Sequence, residues 1–168
     1  MTRVLLVGAM ATGKSTVGRA LADRLGCRYL DNDDLLLAAT GRTARALAAA
    51  DGEPALRDAE SDVLAEVLAT PAPWVAGLAG GAVLDAADRE RVRDSGAVVV
   101  WLAAPAEVLA ERVGSGDHRP WLGDDPLATL ERLVSERAEL YAEVADEVVD
   151  VSVDSAQVIA DRLAERLR

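Results

Sequence analysis

The stretch that decides the fold of this chain is Val4-Leu5-Leu6-Val7-Gly8-Ala9-Met10-Ala11-Thr12-Gly13-Lys14-Ser15. Its last eight residues match the pattern G-x-x-x-x-G-K-S, in which a glycine-rich turn directs backbone amides at a phosphate group. The apolar run before the turn predicts a strand, and the stretch after it, Val17 to Leu25, predicts a helix. Because strand, glycine loop and helix follow one another in the order that phosphate binding requires, the sequence predicts a phosphate-binding loop.

Lys14 is the only lysine among the 18 lysine and arginine residues of the chain. A compact ammonium is not interchangeable with a planar guanidinium, so this position indicates a point charge for the β- and γ-phosphate oxygens of a nucleotide. The backbone amides of the loop and of the first helical turn would surround the phosphates, and the Ser15 hydroxyl would hold Mg²⁺. The residues expected to bind the nucleotide here are Ala11, Thr12, Gly13, Lys14, Ser15 and Thr16.

Apolar strand-like runs alternate with helical stretches along the whole chain. Strands are predicted at 3–7, 28–30, 74–78, 97–102 and 148–151. Helices are predicted at 14–25, 33–39, 43–50, 53–69, 85–94, 105–113, 126–142 and 155–167, with Asp85 and Ser155 as N-caps and Pro105 and Pro126 in first turns. The strand at 97–102 is apolar throughout rather than alternating, which is typical of strands covered on both faces. We therefore expect an α/β fold in which a three-layer, doubly wound sheet of about five parallel strands binds ligands at its carboxyl edge.

Composition and charge narrow the class of protein. A net charge of −11 disfavours a nucleic-acid partner. The single cysteine, Cys27, excludes an internal disulfide and a multi-cysteine zinc site, and it indicates a reducing compartment. No apolar run approaches 18 residues and the chain starts with a strand rather than a signal peptide, so we expect a cytoplasmic protein without a membrane partner. With no linker or repeat in the sequence, we expect one domain over 1–168.

Carboxylates follow the second predicted strand rather than the fourth. The run at 97–102 ends without an acid, whereas Asp31, Asp33 and Asp34 come directly after the strand at 28–30. With no second lysine the chain cannot contain the N-K-x-D motif of guanine-specific GTPases. Two carboxylates at i and i+2 predict a division of roles in which Asp31 assists Mg²⁺ through water and Asp33 meets a substrate hydroxyl. The alternative is that Asp33 or Asp34 only caps the helix at 33–39.

An ordered series of further motifs runs almost from end to end. The series comprises Gly13-Lys14-Ser15-Thr16-Val17-Gly18, Asp31-Asn32-Asp33, Asp51-Gly52-Glu53, Leu56-Arg57, Glu60, Gly80-Gly81-Ala82-Val83, Arg119-Pro120-Trp121-Leu122 and Arg137-Ala138-Glu139-Leu140-Tyr141. In identity and order it resembles the shikimate kinases, which are small P-loop kinases of the nucleoside-monophosphate-kinase-like fold. The resemblance implies a transferase that uses ATP and Mg²⁺ to phosphorylate the 3-hydroxyl of shikimate, on the chorismate route to aromatic amino acids, and we expect it to act as a monomer.

The resemblance also implies roles for individual residues. Arg57 and Arg137 match the family's carboxylate-binding arginines, and a guanidinium fork suits a planar anion. Asp33 matches the aspartate that contacts the reactive hydroxyl, and Gly80 and Gly81 match a turn whose missing Cβ atoms let the backbone approach substrate or phosphate. The substrate-binding helices would lie at about 33–69.

The segment at about 114–125 resembles the family's lid. Its closure would expel water and bring Arg119 onto the transferred phosphoryl group, which would make Arg119 both catalytic and nucleotide-binding. Arg112, on the helix before the lid, matches an arginine that packs on the adenine.

Several positions differ from the family pattern. Alanine replaces glycine at Ala11 and Ala79, and two phenylalanines that line the substrate ring are replaced by Ala48 and Leu56. Glu139 stands where a proline usually follows the substrate arginine. Two alternatives therefore stay open: a divergent relative that phosphorylates another hydroxylated carboxylic acid or a cyclitol, and a nucleotide-binding module without catalysis. Retention of both Arg57 and Arg137 disfavours a neutral substrate, because unpaired cations lining a pocket are costly to desolvate.

Overall fold

The computed structural model describes residues 2–114 and 122–167, and every structural statement here concerns those ranges. Its strands are β1 Arg3–Val7, β2 Arg28–Asp31, β3 Trp74–Gly77, β4 Val98–Ala103 and β5 Glu147–Asp150. Its helices are α1 Lys14–Leu25, α2 Asn32–Thr40, α3 Ala44–Asp51, α4 Glu53–Ala69, α5 Ala86–Asp94, α6 Ala106–Gly114, α7 Pro126–Val144 and α8 Ala156–Arg166. The expected alternation of strands and helices is confirmed, with boundaries that shift by one or two residues.

The five strands form one parallel sheet in the order β2-β3-β1-β4-β5. In its register Asp31 of β2 lies beside Gly77 of β3, and Gly77 lies beside Leu6 of β1. On the other side Val7 of β1 lies beside Trp101 of β4. The carboxyl ends of β2, β3 and β1 therefore meet at one edge, and the loops that follow these strands must converge there.

The sheet separates two hydrophobic layers, as expected for strands that are apolar on both faces. On one face Val4 and Leu6 of β1 pack with the helices α1 and α8. On the opposite face Leu5 and Val7 belong to a core to which α2, α3, α4, α5 and α7 all contribute. Successive side chains of a strand point to opposite faces, so the continuous apolar run Val4–Val7 supplies both cores. The predicted three-layer, doubly wound α/β class is confirmed.

Capping side chains begin most of the helices. Asp85 and Ser155 accept hydrogen bonds from first-turn amides of α5 and α8, which confirms the two predicted N-caps. Pro126 is the first residue of α7, also as predicted. Helix α6 begins one residue after Pro105, so that proline precedes the first turn instead of lying in it. None of the helices in the described ranges has the length and apolar character needed to cross a bilayer.

Tyr29 occupies a slot that two glycines leave open below the phosphate loop. A Cβ atom built at Gly18 of α1 would lie 2.2 Å from Cε2 of Tyr29, and one built at Gly77 would lie 2.3 Å from its hydroxyl oxygen. Contacts this short do not occur between real atoms, so both residues must lack a side chain. The glycine inside α1 therefore serves packing, although glycine weakens a helix interior by about 1 kcal/mol relative to alanine.

We predict that Gly18→Ala lowers the free energy of unfolding by about 1–3 kcal/mol, because the added methyl group must displace the Tyr29 ring. The measurement is chemical denaturation followed by circular dichroism. Gly114→Ala is the matched control, since a Cβ there meets nothing within 4 Å and the residue has no positive φ. Equal stability of the two variants would contradict the proposed packing.

Candidate functional site

The glycine loop leaves the carboxyl end of the central strand β1 and enters α1. Gly8 and Gly13 adopt φ values of 145° and 87°, which a residue with a side chain rarely reaches. A Cβ atom at Gly8 would also lie 2.4 Å from the carbonyl oxygen of Leu102 on β4. Glycine is thus required at both ends of the loop, at Gly8 for conformation and close packing and at Gly13 for conformation.

Two side chains of the loop donate hydrogen bonds to carbonyl groups of the same loop. The Lys14 ammonium donates to the carbonyl oxygens of Gly8 and Ala9 at 2.7 and 2.8 Å, and the Thr12 hydroxyl donates to Ala9 at 2.9 Å. Gly13 precedes α1, so no side chain caps the first turn of this helix, and no acidic residue lies in that turn. The amides of the first turn are therefore suited to an anion, as phosphate binding requires. The fit of a nucleotide phosphate to residues 11–16 stays a prediction that this geometry supports.

Ser15 and Asp31 meet where α1 and β2 converge. The Ser15 hydroxyl donates to Oδ2 of Asp31 at 2.8 Å, and Arg19 lies 3.5 Å from the same oxygen. In residues 2–114 and 122–167, no three or more His, Cys, Asp or Glu side chains form a group able to hold a metal ion. One hydroxyl and one carboxylate suit Mg²⁺, which usually keeps several waters and takes further oxygens from a phosphate. The donor set thus fits the predicted Mg²⁺ site at Ser15 and Asp31.

Asp31 also caps α2, and this corrects one alternative from the sequence. Its Oδ1 accepts the Asp33 amide at 3.0 Å, so the N-cap is Asp31 and neither Asp33 nor Asp34. Asp33 is an exposed first-turn residue of α2. Its charge acts on Tyr29 below the phosphate loop and on Glu60 of α4. Asp33 therefore lies between the loop and α4, with its carboxylate not needed as a helix cap.

Arg57 and Arg137 reach the same glycine turn from different helices. A Cβ atom at Gly81 would lie 1.9 Å from Nη1 of Arg57, and one at Gly80 would lie 3.4 Å from Nη1 of Arg137. The Gly80 position also lies 3.5 Å from the carbonyl oxygen of Gly8, in the phosphate loop. One turn thus touches both guanidiniums and the phosphate loop, although Arg57 and Arg137 are 80 residues apart in the chain.

Carboxylates on α4 hold Arg57 in place. Its Nη1 lies 2.5 Å from Glu60, which is buried, and its Nη2 lies 3.0 Å from Glu53. Burial lowers the pKa of Arg57, but the attraction of Glu60 and Glu53 outweighs burial and the pKa is raised. For Glu60, burial raises the pKa and the Arg57 charge offsets only part of that rise. The pairing keeps Arg57 charged, and Glu60 holds its guanidinium in position.

Two tyrosines of the site were missed from the sequence. The Tyr141 hydroxyl donates to the Gly80 carbonyl at 2.6 Å, and burial raises the pKa of Tyr29, beside Ser15, to about 12. A four-residue spacing from Arg137 places Tyr141 on the same face of α7, which was a usable signal. For Tyr29 the sequence holds no such signal, because only the packing of α1 on β2 and β3 places it under the loop.

Only part of the region predicted to bind the nucleotide lies within the described residues. Arg112 of α6 donates to the carbonyl oxygens of Ala11 and Val151, and so joins the phosphate loop to the segment after β5. Arg119 and most of the predicted lid, residues 115–121, lie outside the described residues. Leu122 is buried against a small apolar cluster with Leu109 and Leu130.

The alanine replacements noted in the sequence have different consequences. Ala11 has φ 63°, and it is the only non-glycine residue with positive φ in the described ranges. Ala79 has no positive φ, so alanine does not strain the turn before Gly80. Ala48 and Leu56 both contact the core cluster on the α4 side of the sheet.

Comparison with known proteins agrees with this geometry. A family model described as shikimate kinase matches residues 10–168. The shikimate kinase of Halorhodospira halophila is 40% identical over 168 residues, covering 99% of this chain and 94% of that protein. The shikimate kinase of Symbiobacterium thermophilum is also 40% identical over 168 residues, covering 98% of this chain and 95% of that protein. A solved structure of shikimate kinase from Acinetobacter baumannii in complex with shikimate has a TM-score of 0.92 and 33% identity, covering 99% of this chain and 92% of that chain.

We predict that Ala11→Gly raises the free energy of unfolding by about 1 kcal/mol, because a left-handed conformation costs alanine about 1–2 kcal/mol and glycine almost nothing. Thermal unfolding measures the change. Ala9→Gly is the matched control, since Ala9 lies in the same loop, is buried and has no positive φ, and this change should destabilise the protein. A drop in stability for both variants would show that Ala11 is not strained.

Proposed function

The chain belongs to the shikimate kinase family, and from this membership we propose that its site transfers the γ-phosphoryl group of ATP to the 3-hydroxyl of shikimate. The resemblance predicted from the series of motifs is confirmed by the comparisons, and with it the class of enzyme, an ATP-dependent kinase with an alcohol acceptor. The observation that carries the proposal is the glycine turn at Gly80 and Gly81, where the phosphate loop, Arg57 and Arg137 come together.

On the acceptor side, Arg57 and Arg137 would bind the carboxylate of shikimate. Two guanidiniums that converge from separate helices suit a small planar anion, whereas a neutral cyclitol would offer them no carboxylate. Glu60 and Glu53 already hold Arg57, so its orientation does not have to be acquired on binding. Gly80 and Gly81 would admit the acceptor close to the backbone. A structure of a 33% identical relative in complex with shikimate supports this assignment.

On the donor side, the loop amides of residues 11–16 and the Lys14 ammonium would bind the phosphates of ATP. Lys14 now donates to two loop carbonyls and would turn to the β- and γ-oxygens. Phosphoryl transfer proceeds through a loose transition state, so catalysis rests on alignment and charge neutralisation. Lys14 would supply one positive charge, and Arg119 of the lid would supply a second. Arg112 would contact the adenine end.

Ser15 and Asp31 would hold Mg²⁺, Ser15 directly and Asp31 through water. The ion supplies charge neutralisation between the β- and γ-phosphates when it is bound. Asp33 would accept a hydrogen bond from the 3-hydroxyl and orient its oxygen toward the γ-phosphorus. As the new O–P bond forms, the bond between the γ-phosphorus and ADP would break, ADP would leave, and the hydroxyl proton would pass to Asp33. Because Asp31 provides the cap of α2, the Asp33 carboxylate stays available for this contact.

We further propose that residues 1–168 act as one kinase domain, as a monomer and in the cytoplasm, without a nucleic-acid or membrane partner. The net charge of −11 opposes binding to other polyanions.

We predict that purified protein forms ADP only when shikimate is added, and that Lys14→Met lowers kcat by about 10²–10³-fold, because the transition state loses a charge.

Asp33→Asn should lower kcat by about 10²-fold, because the hydroxyl loses its acceptor. A coupled spectrophotometric assay measures both. Asp34→Asn is the matched control for Asp33→Asn, since Asp34 is its exposed neighbour in the same turn.

Full activity of Lys14→Met or Asp33→Asn would reject the assigned roles. Turnover with a different hydroxy acid or cyclitol, and none with shikimate, would favour the divergent relative. Tight ATP binding with no turnover on any acceptor would favour the non-catalytic module.

We predict that Gly81→Ala raises the KM for shikimate about tenfold or more and leaves the KM for ATP within about twofold, because the new methyl group takes the place of the Arg57 guanidinium. The displaced group is the end of a flexible side chain, so the fold should survive and the melting temperature should change little. Steady-state kinetics with each substrate varied in turn measures the effect.

A double variant tests whether Gly81→Ala acts through Arg57. Arg57→Ala alone should raise the KM for shikimate, and adding Gly81→Ala to it should raise that KM little further. An additional tenfold loss in the double variant would show that the methyl group obstructs the acceptor itself. Gly80→Ala, whose Cβ would lie 3.4 Å from Arg137, should have the smaller effect of the two glycine variants.

A further inference from the structure

Tyr141 is buried at the junction of the glycine turn and the acceptor arginines. Its hydroxyl donates to the Gly80 carbonyl at 2.6 Å, across 61 residues of sequence. Its ring lies 5.6 Å from the ring of Trp101 on β4 and is 2% exposed. A buried tyrosine hydroxyl can donate one hydrogen bond and accept another, and in Tyr141 the donated bond goes to the Gly80 carbonyl.

Arg137 lies one helical turn earlier on α7, and its charge acts on the Tyr141 hydroxyl. Burial raises the pKa of Tyr141, and the charges of Arg137 and Arg57 offset only part of that rise. The phenol therefore stays protonated at physiological pH and can donate to Gly80 and accept from Arg137 at the same time. Nη1 of Arg137 is also the atom nearest to a Cβ built at Gly80. Gly80, Arg137 and the Tyr141 hydroxyl thus form a closed set of contacts.

We propose that Tyr141 is a positioning residue for the acceptor: its hydroxyl locks the Gly80 turn and the Arg137 guanidinium into one geometry. This inference rests on the proposed function, since it assigns Tyr141 to the acceptor side of the same reaction. Without the hydroxyl, the Gly80 carbonyl would lose its hydrogen bond, and Arg137 would lose the phenol oxygen beside it. Both groups would then find other partners, and the two guanidiniums would no longer face one carboxylate.

The contacts around Gly80 explain why loss of the Tyr141 hydroxyl should weaken binding of the acceptor more than binding of ATP. A Cβ atom built at Gly80 would lie 3.5 Å from the Gly8 carbonyl oxygen, but the loop itself is held by its own glycines and by the Lys14 and Thr12 hydrogen bonds. Rotation of the Gly80 carbonyl therefore disturbs the arginine side of the turn more than the phosphate side. If Tyr141 served only the packing of the core, loss of its hydroxyl would not affect the KM for shikimate more than the KM for ATP.

The test is Tyr141→Phe, which keeps the ring and its contact with Trp101 and removes only the hydroxyl. The KM for shikimate should rise about tenfold, and the KM for ATP should stay within about twofold. Thr70→Val is the matched control. Its hydroxyl donates to the Glu66 carbonyl at 2.9 Å at the end of α4 that precedes β3, so its loss should leave both KM values unchanged.

A double-mutant cycle separates positioning from packing. In an Arg137→Ala background, Tyr141→Phe should raise the KM for shikimate by less than about threefold, since the guanidinium that the hydroxyl positions is absent. Circular dichroism melts are recorded for each variant. If Tyr141→Phe does not fold, Tyr141→His serves in its place, and the same preference for the shikimate KM is expected.

The outcomes distinguish this inference from the proposed function. Wild-type protein without shikimate-dependent turnover would overturn the proposed function, and the role of Tyr141 with it. An active wild type combined with a Tyr141→Phe variant whose shikimate KM is unchanged would overturn only the positioning role. The positioning role would also be overturned if Tyr141→Phe raised the KM for shikimate and the KM for ATP equally. It would be overturned as well if the rise in the shikimate KM were equally large in the Arg137→Ala background.

Discussion

The site depends on the close approach that Gly80 and Gly81 allow. At this turn the backbone after β3 lies against the phosphate loop on one side and against Arg137 and Arg57 on the other. Neither glycine has a positive φ, and space requires glycine only at Gly81, since a Cβ at Gly80 would meet its neighbours at ordinary contact distances. A methyl group at Gly81 would overlap a guanidinium. The close approach of Arg57 to this turn therefore depends on a residue that contributes no side chain.

The cations of the site act against the negative net charge of the protein. The chain carries a net charge of −11, which repels ATP and an acidic acceptor at long range. The site overcomes this with cations held at short range: Lys14 inside its loop, Arg57 between Glu53 and Glu60, and Arg137 at the glycine turn. Because Glu60 is buried, its pairing with Arg57 orients that guanidinium firmly, at the cost of raising the pKa of the carboxyl group. Pre-orientation of this kind reduces the ordering that binding requires.

Asp31 links the metal and acceptor sides of the proposed mechanism. One of its oxygens accepts from Ser15 and the other caps α2. The cap sets the direction in which α2 leaves the sheet and hence the place of Asp33 in its first turn. A change at Asp31 would therefore affect more than Mg²⁺, since the helix that carries Asp33 would lose its first-turn hydrogen bond as well.

The sequence by itself determined the class of fold, the phosphate loop, the element boundaries to within two residues and the family, because these follow from local patterns: apolar runs, capping residues, glycines and the spacing of short motifs. It also named Arg57, Arg137, Gly80 and Gly81 as one group, although only through a resemblance. The tertiary structure alone decided the strand order, the cap at Asp31, and the contacts of Tyr29 and Tyr141. These depend on which distant segments pack together: Gly80 and Tyr141 meet only because α7 and the turn after β3 pack into the core on the same face of the sheet. Local sequence encodes the elements, whereas a hydrogen bond across 61 residues exists only once the hydrophobic layers have fixed their relative positions.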